Sequence, residues 1–183
     1  MRVIAGEARS LPLKTVRSMD VRPTTDKIKE TLFNILMPYV NGSRFLDLYA
    51  GSGAIGIEAI SRGAMRCVFA DNSREAQKCI EENLAFTRFT DRAELMKCDA
   101  DAAIARLDGR ETFDIVFMDP PYDKLLEKTT LTALVNSRVL AEDAIVVVEA
   151  SRSTDFNYVE ELGFAVIKDK LYKTNRHLFL RWG

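Results

Sequence analysis

The chain has little of what marks a metalloprotein, a disulfide-stapled domain or a membrane protein. One histidine stands among 183 residues, too few imidazoles for a zinc site of the usual kind. The three cysteines, Cys67, Cys79 and Cys98, are odd in number, far apart and form no Cys-x-x-Cys pair. They are expected as reduced, mostly buried thiols in a cytoplasmic protein. No apolar run approaches the roughly 18 residues that a membrane span needs, and the opening Met1-Arg2-Val3-Ile4-Ala5-Gly6 lacks the apolar core of a secretory signal. A strong excess of one charge is missing too: the net charge is −1, which argues against a basic wrapper of nucleic acid.

What is present reads as an ordinary globular domain. The hydrophobic share is 47% and the charged share 29%, and a chain of this length can bury about 70% of its unfolded surface. Charge is unevenly placed. Residues 1–29 hold seven Arg and Lys against three acids, 7 − 3 = +4, and the rest carries 19 − 24 = −5. A second basic cluster, Lys168, Lys170, Lys173, Arg176 and Arg181, lies near the C-terminus. If the fold brings the two ends together they form a phosphate-binding footprint; otherwise they are solvated segments.

Residues 1–23 stand apart as a basic extension with strand-like pieces at 2–5 and 11–13, expected as a short β-hairpin, ahead of a main domain over 24–183. A helix is predicted from Asp26 to Met37, with Ile28, Leu32, Ile35 and Leu36 on its apolar face, a cap at Thr24, Thr25 or Asp26, and Pro38 as its end. From residue 44 strands and helices alternate. Strands are predicted at 44–49, 66–71, 93–98, 113–118, 144–149, 164–168 and 176–182, and helices at 54–62, 73–86, 100–107, 124–136 and near 154–161. Continuous apolar runs such as Ile115-Val116-Phe117-Met118 belong to parallel strands buried on both faces. The pattern predicts an α/β fold, a Rossmann-like, seven-stranded, mostly parallel sheet ending in an antiparallel hairpin.

Gly51-Ser52-Gly53-Ala54-Ile55-Gly56 follows the first strand and opens a helix, the G-x-G-x-x-G context of a nucleotide-type cofactor. Flavin, nicotinamide and S-adenosylmethionine proteins share such turns, so the acids around it decide. Asp71 ends the next strand 20 residues after Gly51, placed to accept from ribose hydroxyls or to cap the following helix. Asp99 closes the third strand, as an adenine acceptor or again as a cap. Asp47, inside the first strand, would repel a pyrophosphate but suits the ammonium and sulfonium of S-adenosylmethionine. Together the three acids favour that cofactor, with Asn72 and Ala100 beside it.

Asp119-Pro120-Pro121-Tyr122 follows the fourth strand. Two prolines remove two N–H donors and stiffen the turn, so it presents acceptors only. The lone pair of a nucleobase amine is delocalised into its ring. Acceptors at Asp119 and the Pro120 carbonyl would bind its two hydrogens and aim the lone pair at a methyl group, and Tyr122 would stack on the base. His177 is read as structural or exposed rather than as a general base, and Phe179 and Trp182 as packing.

With these residues assembled, the chain resembles the RsmD-type bacterial methyltransferases that act on a guanine N2 of small-subunit (16S) ribosomal RNA. The resemblance runs through Arg2–Gly6, Arg22-Pro23-Thr24-Thr25-Asp26, Leu32-Phe33-Asn34-Ile35-Leu36, the glycine loop, Asp71 and the Asp-Pro-Pro-Tyr turn. It implies Asp47, Gly51, Gly53, Asp71 and Asp99 around the cofactor and Asp119 and Tyr122 at the base. It also implies that the N-terminal extension, with Arg9 and Lys14, touches RNA, and that Arg22 and Thr24 face the active site. The implied partner is small-subunit ribosomal RNA or the assembling subunit; no metal or membrane is expected, and the protein is expected to be a monomer. Ser10 and Lys173 stand where the family often has glycine. The alternatives are an amino methyltransferase of DNA, a protein-glutamine methyltransferase, a catalytically idle RNA-binding module and a nicotinamide oxidoreductase.

Overall fold

The computed structural model describes residues 1–16, 25–122 and 125–183. Among them, strands β1 (Arg44–Leu48), β2 (Arg66–Ala70), β3 (Ala93–Met96), β4 (Phe113–Met118), β5 (Leu140–Ser151), β6 (Phe164–Leu171) and β7 (Asn175–Trp182) form one sheet. Its order is β3-β2-β1-β4-β5-β7-β6. Helices α1 (Asp26–Val40), α2 (Ala54–Ser61), α3 (Arg74–Thr87), α4 (Ala100–Leu107) and α5 (Leu126–Val135) cover it. β1 to β5 are mutually parallel, whereas β7 runs antiparallel between β5 and β6. Only residues 172–174 join β6 to β7, too few for a parallel crossover, so a hairpin is the one pairing open to them. The doubly wound sheet and its terminal hairpin are as the sequence predicts.

Strand alternation builds two cores. Phe45, Phe69, Ile115, Phe117, Ile145, Val147 and Phe179 pack with α1, α2 and α3 on one face. Leu46, Val68, Val116, Met118, Val146, Val148 and Leu178 pack with α4 and α5 on the other. The central strands are therefore buried on both faces, which is why runs such as Ile115–Met118 and Ile145–Val148 are apolar at every position. No helix among the described residues is long and apolar enough to cross a membrane.

Several boundaries differ from the sequence reading. α1 runs past Pro38 to Val40. Proline costs one backbone bond there, in the last turn, where few bonds depend on it. The buried face of α1 is Lys29, Leu32, Phe33, Leu36 and Val40, rotated from the predicted stripe. Residues 154–161 form turns rather than a helix; Phe156 and Val159 are buried there without a helical ladder. β5 starts early, at Leu140, through a register shift opposite Phe113 and Ile115. The N-terminal pieces meet in a single antiparallel bridge, Arg2 with Pro12, with Val3 N donating to the Leu11 carbonyl, Ser10 N to Val3 and Leu13 N to Met1, while the Ile4 and Ala5 amides donate to Glu58 of α2.

The rotation of α1 has a cause. The Lys29 ammonium is fully buried, 3.1 Å from Glu58 Oε2 and donating to the Arg2 carbonyl at 2.6 Å. Glu58 in turn accepts from Ile4 N at 2.8 Å, Ala5 N at 3.1 Å and Arg62 Nε at 2.7 Å. Burial holds the Lys29 pKa below its ordinary value despite Glu58. One carboxylate thus fastens α1, α2 and the N-terminal segment together. Glu58→Gln leaves Lys29 buried without its counter-ion and is expected to cost about 3–5 kcal/mol. Lys29→Met should cost less, since Glu58 keeps Arg62 and both amides. Denaturant unfolding of the two variants checks that order; equal losses would contradict it.

Candidate active site

The C-terminal ends of the parallel strands open into a cleft of about 760 Å³. It lies at the switch point of the sheet, where the chain leaves β1 for β2 on one side and β4 lies on the other. Asp47, Tyr49, Gly51, Asp71, Asn72, Asp99, Ala100, Asp119, Pro120, Pro121 and Tyr122 all line it. The cofactor and base residues picked from the sequence therefore share one space, apart from Gly53.

The glycine loop is shaped by its backbone. Gly53 sits at φ +74° as the N-cap of α2, left-handed backbone that a side chain would strain. Gly56 plays a packing role: a Cβ there would fall 2.3 Å from the Phe69 ring and 2.5 Å from Cys67 Sγ. α2 can lie this close to β2 only because position 56 has no side chain. Tyr49 takes φ +60° at the strand end, a strained setting for an aromatic residue, and its hydroxyl lies 2.8 Å from Thr130 Oγ1.

The acids are not alike. Asp47 is buried, and its Oδ2 accepts from Gly56 N at 2.9 Å. A carboxylate thus already answers an N–H in the first turn of α2, the place where a pyrophosphate would bind. Burial pushes its pKa well above the usual carboxylate range, and Asp71 adds repulsion. Asp71 anchors the loop: Oδ2 accepts from Gly51 N at 2.9 Å and Oδ1 from Ser73 N at 2.8 Å. Ser73, not Asp71, caps α3. Asp99 does cap α4, accepting from Ala102 N at 2.8 Å, while also lining the cleft; the two readings of Asp99 coexist.

Asp119 lies one residue past β4, and its carboxylate accepts no hydrogen bond among the described residues. Burial pushes its pKa well up, and the charges of Glu149, Asp47 and Glu127 push the same way. Pro120 is buried beside it, and Tyr122 is exposed at the rim. The cleft therefore concentrates carboxylates that repel one another, an arrangement that a bound cation would relieve.

The basic residues fare differently. Arg22 and Thr24 lie outside the described residues. Arg9 is exposed and does not line the cleft. Lys14 pairs with Glu82 at 2.9 Å, beside the cleft rather than in it. Arg2 pairs with Asp26 and Lys29 with Glu58, so the N-terminal charge count overstates what is offered to a partner. The two basic ends do approach: Thr15, Val16 and Thr25 line one side of the cleft and Tyr172, Lys173, Thr174 and Asn175 another.

Sequence reasoning missed one group. Glu149 lines the cleft, accepts from Asn175 Nδ2 at 2.6 Å and lies 3.0 Å from His177 Nε2. His177, fully buried, is 3.4 Å through Nδ1 from the Tyr172 hydroxyl. The available signal was a glutamate ending the apolar run Ile145-Val146-Val147-Val148.

Comparison with known proteins agrees with this fold. Residues 1–181 match the family described as conserved hypothetical protein 95. The chain is 42% identical to the Bacillus subtilis protein YlbH over 156 residues, 85% of each chain. It is 32% identical to the ribosomal RNA small subunit methyltransferase D of Haemophilus influenzae, covering 93% of this chain and 88% of that one. The solved structure of Escherichia coli yhhF superposes with a TM-score of 0.85 at 30% identity, over 100% of this chain and 98% of that one.

Proposed function

We propose a function that proceeds from kinship: the chain belongs to the RsmD-type family described as conserved hypothetical protein 95, and it methylates the exocyclic N2 amine of a guanine in small-subunit ribosomal RNA. S-adenosylmethionine, when bound, supplies an electrophilic methyl group on a positively charged sulfur. The cleft fits such a ligand in size, about 760 Å³, and in charge. The observation that carries the reading is the meeting, in one cleft, of the acid-lined glycine loop with the carboxylate of Asp119, which accepts no hydrogen bond among the described residues.

In this reading Asp47 faces the cationic end of the cofactor, and Asp71 with Asn72 faces the ribose. Asp99 and Ala100 face the adenine. Asp119 and the Pro120 carbonyl accept the two amine hydrogens, orient the lone pair and stabilise the charge that grows on nitrogen. Tyr122 stacks on the base. RNA crosses the rim between Thr15–Val16 and Tyr172–Asn175 with Arg9 and Lys14 on its backbone, and Arg22 and Thr24 bind the substrate facing the active site. Lys14 can leave Glu82 for a phosphate at little cost, because an exposed ion pair is screened by solvent.

Binding titrations separate this from a nicotinamide enzyme. S-adenosylhomocysteine is expected to saturate the protein at micromolar concentration, with NAD showing no saturable binding, because the Asp47 carboxylate occupies the phosphate position. The reverse order of affinities would overturn the cofactor assignment.

A further inference from the structure

Beyond the Asp-Pro-Pro-Tyr turn, the cleft holds a second carboxylate set in a different way. Val148 is paired with Met118 across β4 and β5, so Glu149 and Asp119 are the next positions on neighbouring parallel strands, a strand spacing of about 4.8 Å apart. Glu149 also pairs with His177 across β5 and β7. Asp119, Glu149 and His177 thus follow one another along a row across the sheet.

The two carboxylates have unequal support. Glu149 is buried and has a donor on each oxygen, Asn175 Nδ2 and His177 Nε2. Asp119 has none among the described residues. Donors favour the ionised form of the group they serve, and two neighbouring carboxylates resist ionising together. Asn175 and His177 thus serve the ionised form of Glu149, and a negative charge held there raises the proton affinity of the neighbouring Asp119, which accepts a proton from its own ionised form. The imidazole is held in the tautomer this requires. With Nε2–H donated to Glu149, Nδ1 is left to accept from the Tyr172 hydroxyl at 3.4 Å. Phe117 and Phe179 wall the ring edge-on at 6.1 and 6.4 Å between centroids. Besides Glu149, the charges of Asp47 on β1 and Glu127 on α5 act on Asp119, and Tyr49, Asp71, Glu75, Asp99, Tyr122, Tyr172 and Lys173 share the cleft wall.

We propose that Glu149, clamped by Asn175 and His177, is a positioning residue that keeps negative charge beneath Asp119 and so makes Asp119 the collector of the amine proton. The inference rests on the methyl-transfer reading for its consequence in catalysis. As the carbon–nitrogen bond forms, the carbon–sulfur bond breaks and its electron pair stays on sulfur. The nitrogen, now positive, gives one proton to the Asp119 carboxylate, which passes it to water when product leaves. Glu149 touches neither the substrate nor the cofactor in this reaction; it acts through Asp119.

Two measurements test it. In the ligand-free protein with ¹³C-labelled aspartate, the Asp119 carboxyl signal should titrate well above ordinary aspartate, and in Glu149→Gln at least about one pH unit lower. In methyl transfer, Glu149→Gln should lower kcat about 10- to 100-fold with KM values within about threefold, and move the acidic limb of the rate profile to lower pH. If Glu149→Gln fails to fold, Asn175→Ala, which leaves the His177–Glu149 pair intact, should shift the signal the same way by a smaller amount. An Asp119 titration unmoved in the variant that folds, or a loss confined to KM, overturns the proposal. A titration that moves in a protein that methylates no RNA would sustain the pairing of Glu149 with Asp119 while removing the functional reading.

Discussion

Asp119→Ala is expected to lower kcat for methyl transfer by about 10²–10⁴, the range typical of losing a positioned proton acceptor, equivalent to about 3–5 kcal/mol of transition-state stabilisation. Binding should barely change. The Asp119 carboxylate accepts no hydrogen bond from the described protein, so truncating it frees no partner, and its raised pKa records that the folded protein resists its ionisation. Affinity for S-adenosylhomocysteine and for RNA should stay within about threefold, and thermal stability at neutral pH should hold or rise. Single-turnover kinetics beside a binding titration separates the terms. Equal activity in Asp119→Ala would remove Asp119 from the chemistry; a loss carried by weaker binding would make it a ligand contact instead.

Asp47→Asn should do the opposite: weaken cofactor binding about a hundredfold without unfolding the protein. The amide oxygen can still accept from Gly56 N, so the loop keeps its anchor, while the charge facing the cationic cofactor is gone. Two opposite charges about 4 Å apart interact by about 4 kcal/mol at an effective dielectric of 20, before desolvation is subtracted, so a hundredfold is a moderate share. The stability sign is fixed by the direction of the pKa. The Asp47 carboxyl titrates higher in the folded chain than in the unfolded one. It therefore favours folding below the unfolded pKa and loses that contribution as pH rises through the folded value. At neutral pH the ionised group is a burden, so Asp47→Asn should melt no lower than the parent. Cofactor affinity in the parent should rise with pH across the range above ordinary carboxylate values, because a cationic ligand must displace protons held there. Isothermal titration at several pH values checks both claims. A variant that binds normally, or a parent whose affinity falls with rising pH, would contradict them.

How much of the molecule is legible in its sequence depends on the distance between interacting residues. The sheet is legible because apolar runs such as Ile115–Met118 and the β-then-α rhythm are local signals, and because only a polar turn separates the last two strands, which suggests a hairpin. The cofactor acids are legible because each sits at the end of a strand beside a turn, where position alone predicts direction. The split roles of Asp71 and Asp99 stay open in the sequence, since a strand-end acid before a helix can cap it or face a ligand. Asp99 does cap its helix from a place within the cleft wall. The Glu149–His177–Asn175 cluster is illegible for a different reason. Asn175 and His177 lie 26 and 28 residues after Glu149 and meet it only because β7 inserts beside β5 in one register. Lys29 misleads the reading of α1 likewise: a lysine on a helix reads as solvent-facing until Glu58, 29 residues on, is seen to receive it.

The basic extension is the plainest case of charge counting without geometry. Two of its cations, Arg2 and Lys14, are held by Asp26 and Glu82, and its Ile4 and Ala5 amides by Glu58, so the segment first of all fastens itself to α1, α2 and α3. Its proposed contact with RNA is a second use of a segment already built into the fold.

The measurement that tests the central claim most directly is methyl transfer from labelled S-adenosylmethionine to ribosomal RNA and to small-subunit particles from cells lacking this protein, followed by mapping of the modified nucleotide. Label is expected at the N2 of one guanine in small-subunit RNA, at a rate lowered about 10²–10⁴ by Asp119→Ala. Label found only in DNA or protein, or on a ring nitrogen rather than an exocyclic amine, would contradict it.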